Sequence, residues 1–236
     1  EGMVLVNLGW IASVQGDYAT AIDVNRQSQA IARQIGDRYQ EAYAAINLCS
    51  SKLAQGEYVP ALEYADEGFR LCQEIGDQSG EAWALTFMGQ IFFEMNNLEK
   101  ATRSFQESLD IRRNLDQPNL STEPLAGLAR VSLAHQDIST ANEHVDEILS
   151  HLDQGGNFDG TERPLQVWQT CYQVLEYADD SGADSVLSSA YKELQSRANR
   201  IGDEDLRCKY LENIPYHAGI VKAWQEHFGD QSTQGD

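Results

Sequence analysis

Proline is scarce in this sequence, five residues in 236, so long helices can run without interruption. Apolar runs are short as well. No stretch reaches the roughly 18 consecutive apolar residues that a membrane-spanning helix needs. The first residues carry no charged-then-apolar leader. Instead "EGMVLVNLGW" already has helical periodicity, as expected of a piece of a longer protein. The four cysteines, Cys49, Cys72, Cys171 and Cys208, share no CxxC spacing and each falls inside an apolar helical pattern. That usage favours reduced core thiols in a cytoplasmic protein over disulfides or metal ligands.

Positive charge is also in short supply. Lys and Arg number 17 against 37 Asp and Glu, a formal net charge of −20, and no segment of the chain is basic. A protein that neutralises phosphates needs clustered cations, so nucleic acid is excluded as a partner. The acidity reads as a solvated outer face or, more sharply, as a preference for a basic partner. Catalytic vocabulary is missing too. His144 and His151 are seven apart and could share a helix face, but neither belongs to an HExxH and no cysteine accompanies them in metal spacing. There is no GxSxG, kinase set or calcium loop, and the glycine-rich "GGNFDG" lacks the Lys-Ser/Thr of a phosphate loop. The expectation is a protein that is not an enzyme and holds no cofactor or metal.

What the sequence does contain is repetition. "QIGD" at 34–37 recurs as "EIGD" at 74–77, 40 residues on, and as "RIGD" at 200–203, a further 126 residues on. The period of 40 extends beyond the tetrapeptide: Leu8, Leu48, Met88 and Leu128 coincide, as do Gly9, Cys49, Gly89 and Ala129. Tyr18, Tyr58, Leu98 and Ile138 are each followed three residues later by an alanine, Ala21, Ala61, Ala101 and Ala141. Self-similarity at such a period marks a stacked repeat protein. Each copy reads as two helices, the first ended by Gly16, Gly56 or Asn96, the second ended by the Ile-Gly pair. The small residues let the two helices of a pair approach closely. The glycine of the tetrapeptide supplies a left-handed C′ residue, and its aspartate accepts main-chain N–H groups of the next turn.

The second spacing exceeds three periods by six, and the six-residue loop "GGNFDG" at 155–160 falls where the fourth copy should turn into the fifth. A degenerate fifth copy follows, with Leu187 in place of the signature alanine. The organisation expected is an array over 1–202, with copies at about 1–40, 41–80, 81–120, 121–160 and 161–202. Capping helices over 203–229 and a disordered tail over 230–236 complete it. Ile220, Trp224 and Phe228 share one face of the last helix, as a terminal cap requires. No matching cap precedes Val4, Leu5 and Leu8, which predicts further repeats or another domain upstream, or self-association through that end.

The leucine or methionine followed by a small residue, the Tyr-x-x-Ala and the later apolar positions resemble the tetratricopeptide repeat (TPR). The 40-residue length with "IGD" turns is similar to the extended type found in C-terminal arrays of large bacterial signalling proteins, alongside switch-ATPase, cyclase or DNA-binding regions. The resemblance implies an all-α, right-handed superhelical solenoid of antiparallel helix pairs whose first helices line a concave groove. It places Met3, Val6 and Trp10, then Tyr43, Ile46, Asn47 and Ser50, then Trp83, Thr86, Phe87, Gln90 and Phe93, then Ala126, Arg130 and Leu133 on that groove. Trp10, Tyr43, Asn47, Trp83, Phe87, Gln90, Phe93 and Arg130 are the expected partner-binding residues. The lone Arg130 argues against a carboxylate clamp. The implied function is a protein-interaction module that takes a protein or peptide segment with apolar anchors and basic flanks. The alternatives are a sensor enclosing a small effector, discriminated by an enclosed polar cavity, and a self-associating scaffold.

Overall fold

The computed structural model describes residues 2–229 in main chain and 4–229 in side chain, so Met3's side chain and the 230–236 tail lie outside the described residues. Among the described residues all regular structure is helical. The array comprises α1 (Gly2–Val14), α2 (Tyr18–Ile35), α3 (Arg38–Ala54), α4 (Tyr58–Ile75), α5 (Gln78–Glu94), α6 (Leu98–Asn114), α7 (Pro118–Ala134) and α8 (Ile138–Asp153). It continues with α9 (Pro164–Tyr177) and α10 (Ala183–Ala198), and closes with α11 (Glu204–Glu212) and α12 (Pro215–Phe228). Consecutive helices pack as antiparallel pairs. The first helices of successive pairs also lie side by side, α1 on α3, α3 on α5, α5 on α7 and α7 on α9, forming the inner layer of a TPR-like solenoid.

Local chemistry sets the helix ends. The first helix of each of the four regular pairs stops at a left-handed residue: Gly16 (φ 80°), Gly56 (74°), Asn96 (58°) and Gln136 (61°). Gly36 and Gly76 do the same for α2 and α4, and the following aspartates cap the next helix, Asp37 accepting from Gln40 N at 3.0 Å and Asp77 from Gly80 N at 3.0 Å. The third tetrapeptide differs. Here α10 has already ended at Ala198, so Gly202 is not left-handed, although Asp203 still caps α11 through Leu206 N at 2.9 Å.

Packing follows the register. Ala21, Ala61, Ala101 and Ala141 are all fully buried. Gly89 in α5 and Gly127 in α7 flank the buried ring of Phe105 from α6, and a Cβ added to either would overlap it. In place of the signature alanine, Leu187 is fully buried in the fifth pair. At the end of the stack Ile220 is buried against α10 and α9, Trp224 stacks on Tyr191 at 4.4 Å, and Phe228 tilts onto Trp224. Three cysteines lie in this core, but Cys208 on the short α11 is exposed, because that helix is covered on one side only. At the other end Val4, Leu8 and Ile11 stand exposed on one face of α1.

The solenoid curves far enough to bring its two ends together. A Cβ placed on Gly16, in the α1–α2 turn, would lie 3.7 Å from both Ile214 and the Lys209 carbonyl of the cap.

Candidate functional site

One residue per repeat, at spacing 40, forms a ladder across the inner face: Trp10, Ser50, Gln90 and Arg130. Each first helix turns this position inward because the preceding Gly9, Cys49, Gly89 or Ala129 faces its own partner helix. The ladder is not open. The segment 155–163, which joins α8 to α9, crosses it. Trp10 Nε1 donates to Glu162 Oε2 at 2.7 Å, Arg163 Nη1 donates to Gln90 Oε1 at 2.6 Å, and Arg163 Nη2 reaches Ser50 Oγ at 3.4 Å. The Arg163 guanidinium also lies 5.2 Å from the centre of the Phe87 ring. Its main-chain N–H donates to Glu123 Oε1 at 2.6 Å. The segment is anchored further back by Asn157, whose Oδ1 accepts from Asn119 Nδ2 at 2.8 Å, and by Phe158, edge-on to Trp168 at 5.3 Å.

The electrostatics of this face are mixed. Burial, and next the nearby Glu162, push the Glu123 carboxyl up to about 7, against the pull of the main-chain N–H donors of Arg163 and Glu162 and the Arg163 charge. Burial likewise raises Glu162, with the Trp10 indole and Arg163 opposing it. Arg130 donates to Glu94 at 2.9 Å and covers Phe93 at 4.2 Å, and burial lowers its pKa. Beside these groups lies a partly enclosed cavity of about 390 Å³ bounded by Tyr18, Tyr58, Arg130, Arg163, Arg197 and Tyr216. Arg130, expected as the lone arginine of the groove, is therefore not alone on this face. Arg163, Glu162 and Arg197 arrive from outside the four regular repeats, and only the closure of the superhelix brings them in.

The sequence-predicted residues separate into three groups. Trp10, Gln90 and Arg130 stand on the ladder. Phe87 and Phe93 lie beneath Arg163 and Arg130, so they are roofed by guanidinium groups and offer little free ring face. Phe87 is only 3% exposed. Tyr43, Asn47 and Trp83 are engaged between repeats. Tyr43 donates to Asp77 Oδ2 at 2.8 Å and meets Trp83 edge-on at 5.9 Å, while Asn47 Nδ2 donates to the Val6 carbonyl at 3.2 Å. The buried Trp83 Nε1 has no hydrogen-bond partner. Sequence reading missed Glu123, Glu162 and Arg163, although the break in the 40-residue period marked the segment that carries two of them. Among the described residues no three His, Cys, Asp or Glu converge as metal ligands, and no helix is long and apolar enough to cross a membrane.

Comparison with known proteins agrees with this architecture. Residues 1–174 match the family model of the MalT-like TPR region, and residues 125–228 match a second model, TP_0123_C, of a C-terminal domain. No curated protein matches the chain. Among solved structures, the apo form of RapI superposes with a TM-score of 0.68 at 14% identity, over 94% of this chain and 84% of that one. BtubC (BKLC) from P. vanneervenii gives 0.61 at 18% identity, over 85% and 81%. A Rap protein complexed with competence and sporulation factor gives 0.64 at 11% identity, over 99% and 65%. At these identities the likeness establishes the fold.

Proposed function

This chain belongs to the MalT-like TPR family, and from that membership we propose that it is a non-catalytic recognition module whose inner face binds a segment of a protein partner. One observation carries the reading. The inner face already holds two consecutive residues of its own chain, Glu162 and Arg163, through side chains on α1, α3, α5 and α7. A face that seats two consecutive residues of its own chain has the spacing and the polar groups to seat those of another. The Rap protein solved with competence and sporulation factor is a structural neighbour in keeping with this reading. We place the module in a larger cytoplasmic signalling protein of bacterial type, with the repeat array over 1–202 and the cap over 203–229.

The test is a displayed library of extended peptides panned against the whole chain. Peptides that bind the inner face lose about 30-fold in affinity, roughly 2 kcal/mol, on Trp10→Ala or Arg130→Ala. Hits indifferent to both substitutions refute the assignment of the site.

A second reading has its own observation. The cavity of about 390 Å³ lies in the size range of small-molecule sites, and it is walled by tyrosines and arginines. It suits a small polar effector whose binding would tighten the contact between the two ends of the solenoid. A rise in melting temperature with a small polar metabolite, abolished by Arg197→Ala, favours this reading over the peptide. The exposed face of Val4, Leu8 and Ile11 keeps self-association as a further proposal, read by mass against concentration.

A further inference from the structure

Arg163 occupies a built seat. Its guanidinium rests over the Phe87 ring, one amino group donates to Gln90 at 2.6 Å and the other reaches Ser50 at 3.4 Å. Ser50, Phe87 and Gln90 are each under 9% exposed and come from two adjacent repeats, so the seat belongs to the rigid stack. A flat aromatic face below and neutral oxygen acceptors at the edge are what a planar, five-donor cation requires, and an ammonium group would use them poorly.

The tenant is held differently from the seat. It sits at the end of the one segment that interrupts the repeat. That segment contains Gly155, Gly156 and Gly160, two of them left-handed with φ of 89° and 82°. The segment touches the ladder through polar contacts, which an incoming chain of like chemistry can replace one for one. The cavity of about 390 Å³ opens beside the guanidinium and gives an incoming or outgoing side chain room. The net charge of −20 favours the approach of a basic segment.

We propose that Glu162 and Arg163 act as an internal pseudo-ligand, and that the Ser50–Phe87–Gln90 seat recognises an arginine of a protein partner, which displaces Arg163. This rests on the peptide-binding reading above and deepens it, naming arginine as the anchor and the 155–163 strap as the competitor. A partner must then outbid a strap that is always present at high local concentration, so binding is weak until the strap is loosened.

Two measurements on the full chain test it. First, Arg163→Ala empties the seat. Methylguanidinium at millimolar concentration then raises the melting temperature of this variant and not of the wild type, while methylammonium does neither. Second, a fluorescent peptide, GNFDGTERPL, copying residues 156–165, binds Arg163→Ala at least tenfold tighter than wild type. The same peptide with alanine for its arginine shows no such gain, and Gln90→Ala in the Arg163→Ala background abolishes it. Arg163→Lys, which retains charge and length but not the planar fork, gives the same pattern if Arg163→Ala fails to fold. Equal binding of the arginine and alanine peptides, or no difference between methylguanidinium and methylammonium, overturns the proposal. If arginine-free library peptides still bind the inner face, the recognition module stands and only the arginine seat falls.

Discussion

Gly127→Ala adds one methyl group to a helix, and the effect depends on Phe105. A Cβ at 127 would lie 2.5 Å from Cδ1 and Cζ of that ring, roughly 1 Å inside ordinary carbon–carbon contact. The ring is fully buried and cannot swing toward solvent. Gly89 confines it as well, since a Cβ there would come within 2.6 Å of the same Cδ1–Cε1 edge. Overpacking of this kind costs about 1–3 kcal/mol, and the hemmed ring puts it at the upper end. Alanine recovers about 1 kcal/mol through its helix propensity. The net is a loss of about 2 kcal/mol, or roughly 4–8 °C in melting temperature for a chain of this size. Urea unfolding followed by far-UV circular dichroism measures it. The companion variant Phe105→Leu shrinks the obstacle, so Gly127→Ala on that background should be neutral or stabilising, a coupling of at least about 1 kcal/mol. If Gly127→Ala alone raises the urea midpoint, the close approach of α6 and α7 at this point is wrong.

Other substitutions probe the repeat register and the strap. Ala61→Leu and Ala101→Leu should each lose about 1–3 kcal/mol by overpacking, and neutral outcomes at both would mean the 40-residue register is misplaced. Gln136 holds the left-handed position that glycine fills at 16 and 56, so Gln136→Gly should gain about 0.5–1 kcal/mol in the urea midpoint; a loss would contradict the strain argument. Glu123, pushed up to about 7 from an ordinary carboxyl value of 4.5, binds its proton more tightly folded than unfolded. Its contribution is therefore full below pH 4.5 and lost as pH rises through 7, up to about 3 kcal/mol in all. His217, buried and lowered to about 4, acts in the opposite sense as pH falls below 6.5, so the comparison must be between wild type and Glu123→Gln. The variant should lose less stability between pH 5 and 8. Parallel curves would show that Glu123 stays ionised.

The inner face has a division of labour. The seat residues are small, flat or neutral and come from the rigid stack, while the charge that meets them comes from the strap. The displacement proposed above would exchange side-chain contacts on this face, and the helix pairs beneath it are packed independently of them. Breaking the contacts at Trp10, Ser50 and Gln90 exposes polar surface together with the Phe87 ring that Arg163 roofs.

Legibility in the sequence followed the range of the interactions. The period, the helix pairs, the close-packing glycines and the aspartate caps were all readable, because each arises within about 40 residues and recurs in the next copy. Gly202 escaped the pattern because α10 ends early, at Ala198, in the irregular fifth pair. Cys208 escaped because α11 is covered on one side only. What only the tertiary structure decided is who faces whom across the interior. Trp10 meets Glu162 across 152 residues, and Ser50 meets Arg163 across 113. Those meetings depend on the total curvature of the solenoid, which accumulates from small rotations at every helix contact and is encoded at no single position. The six extra residues at 155–160 announced that something departs from the repeat; where the departing chain goes was settled only by the closing of the superhelix around it.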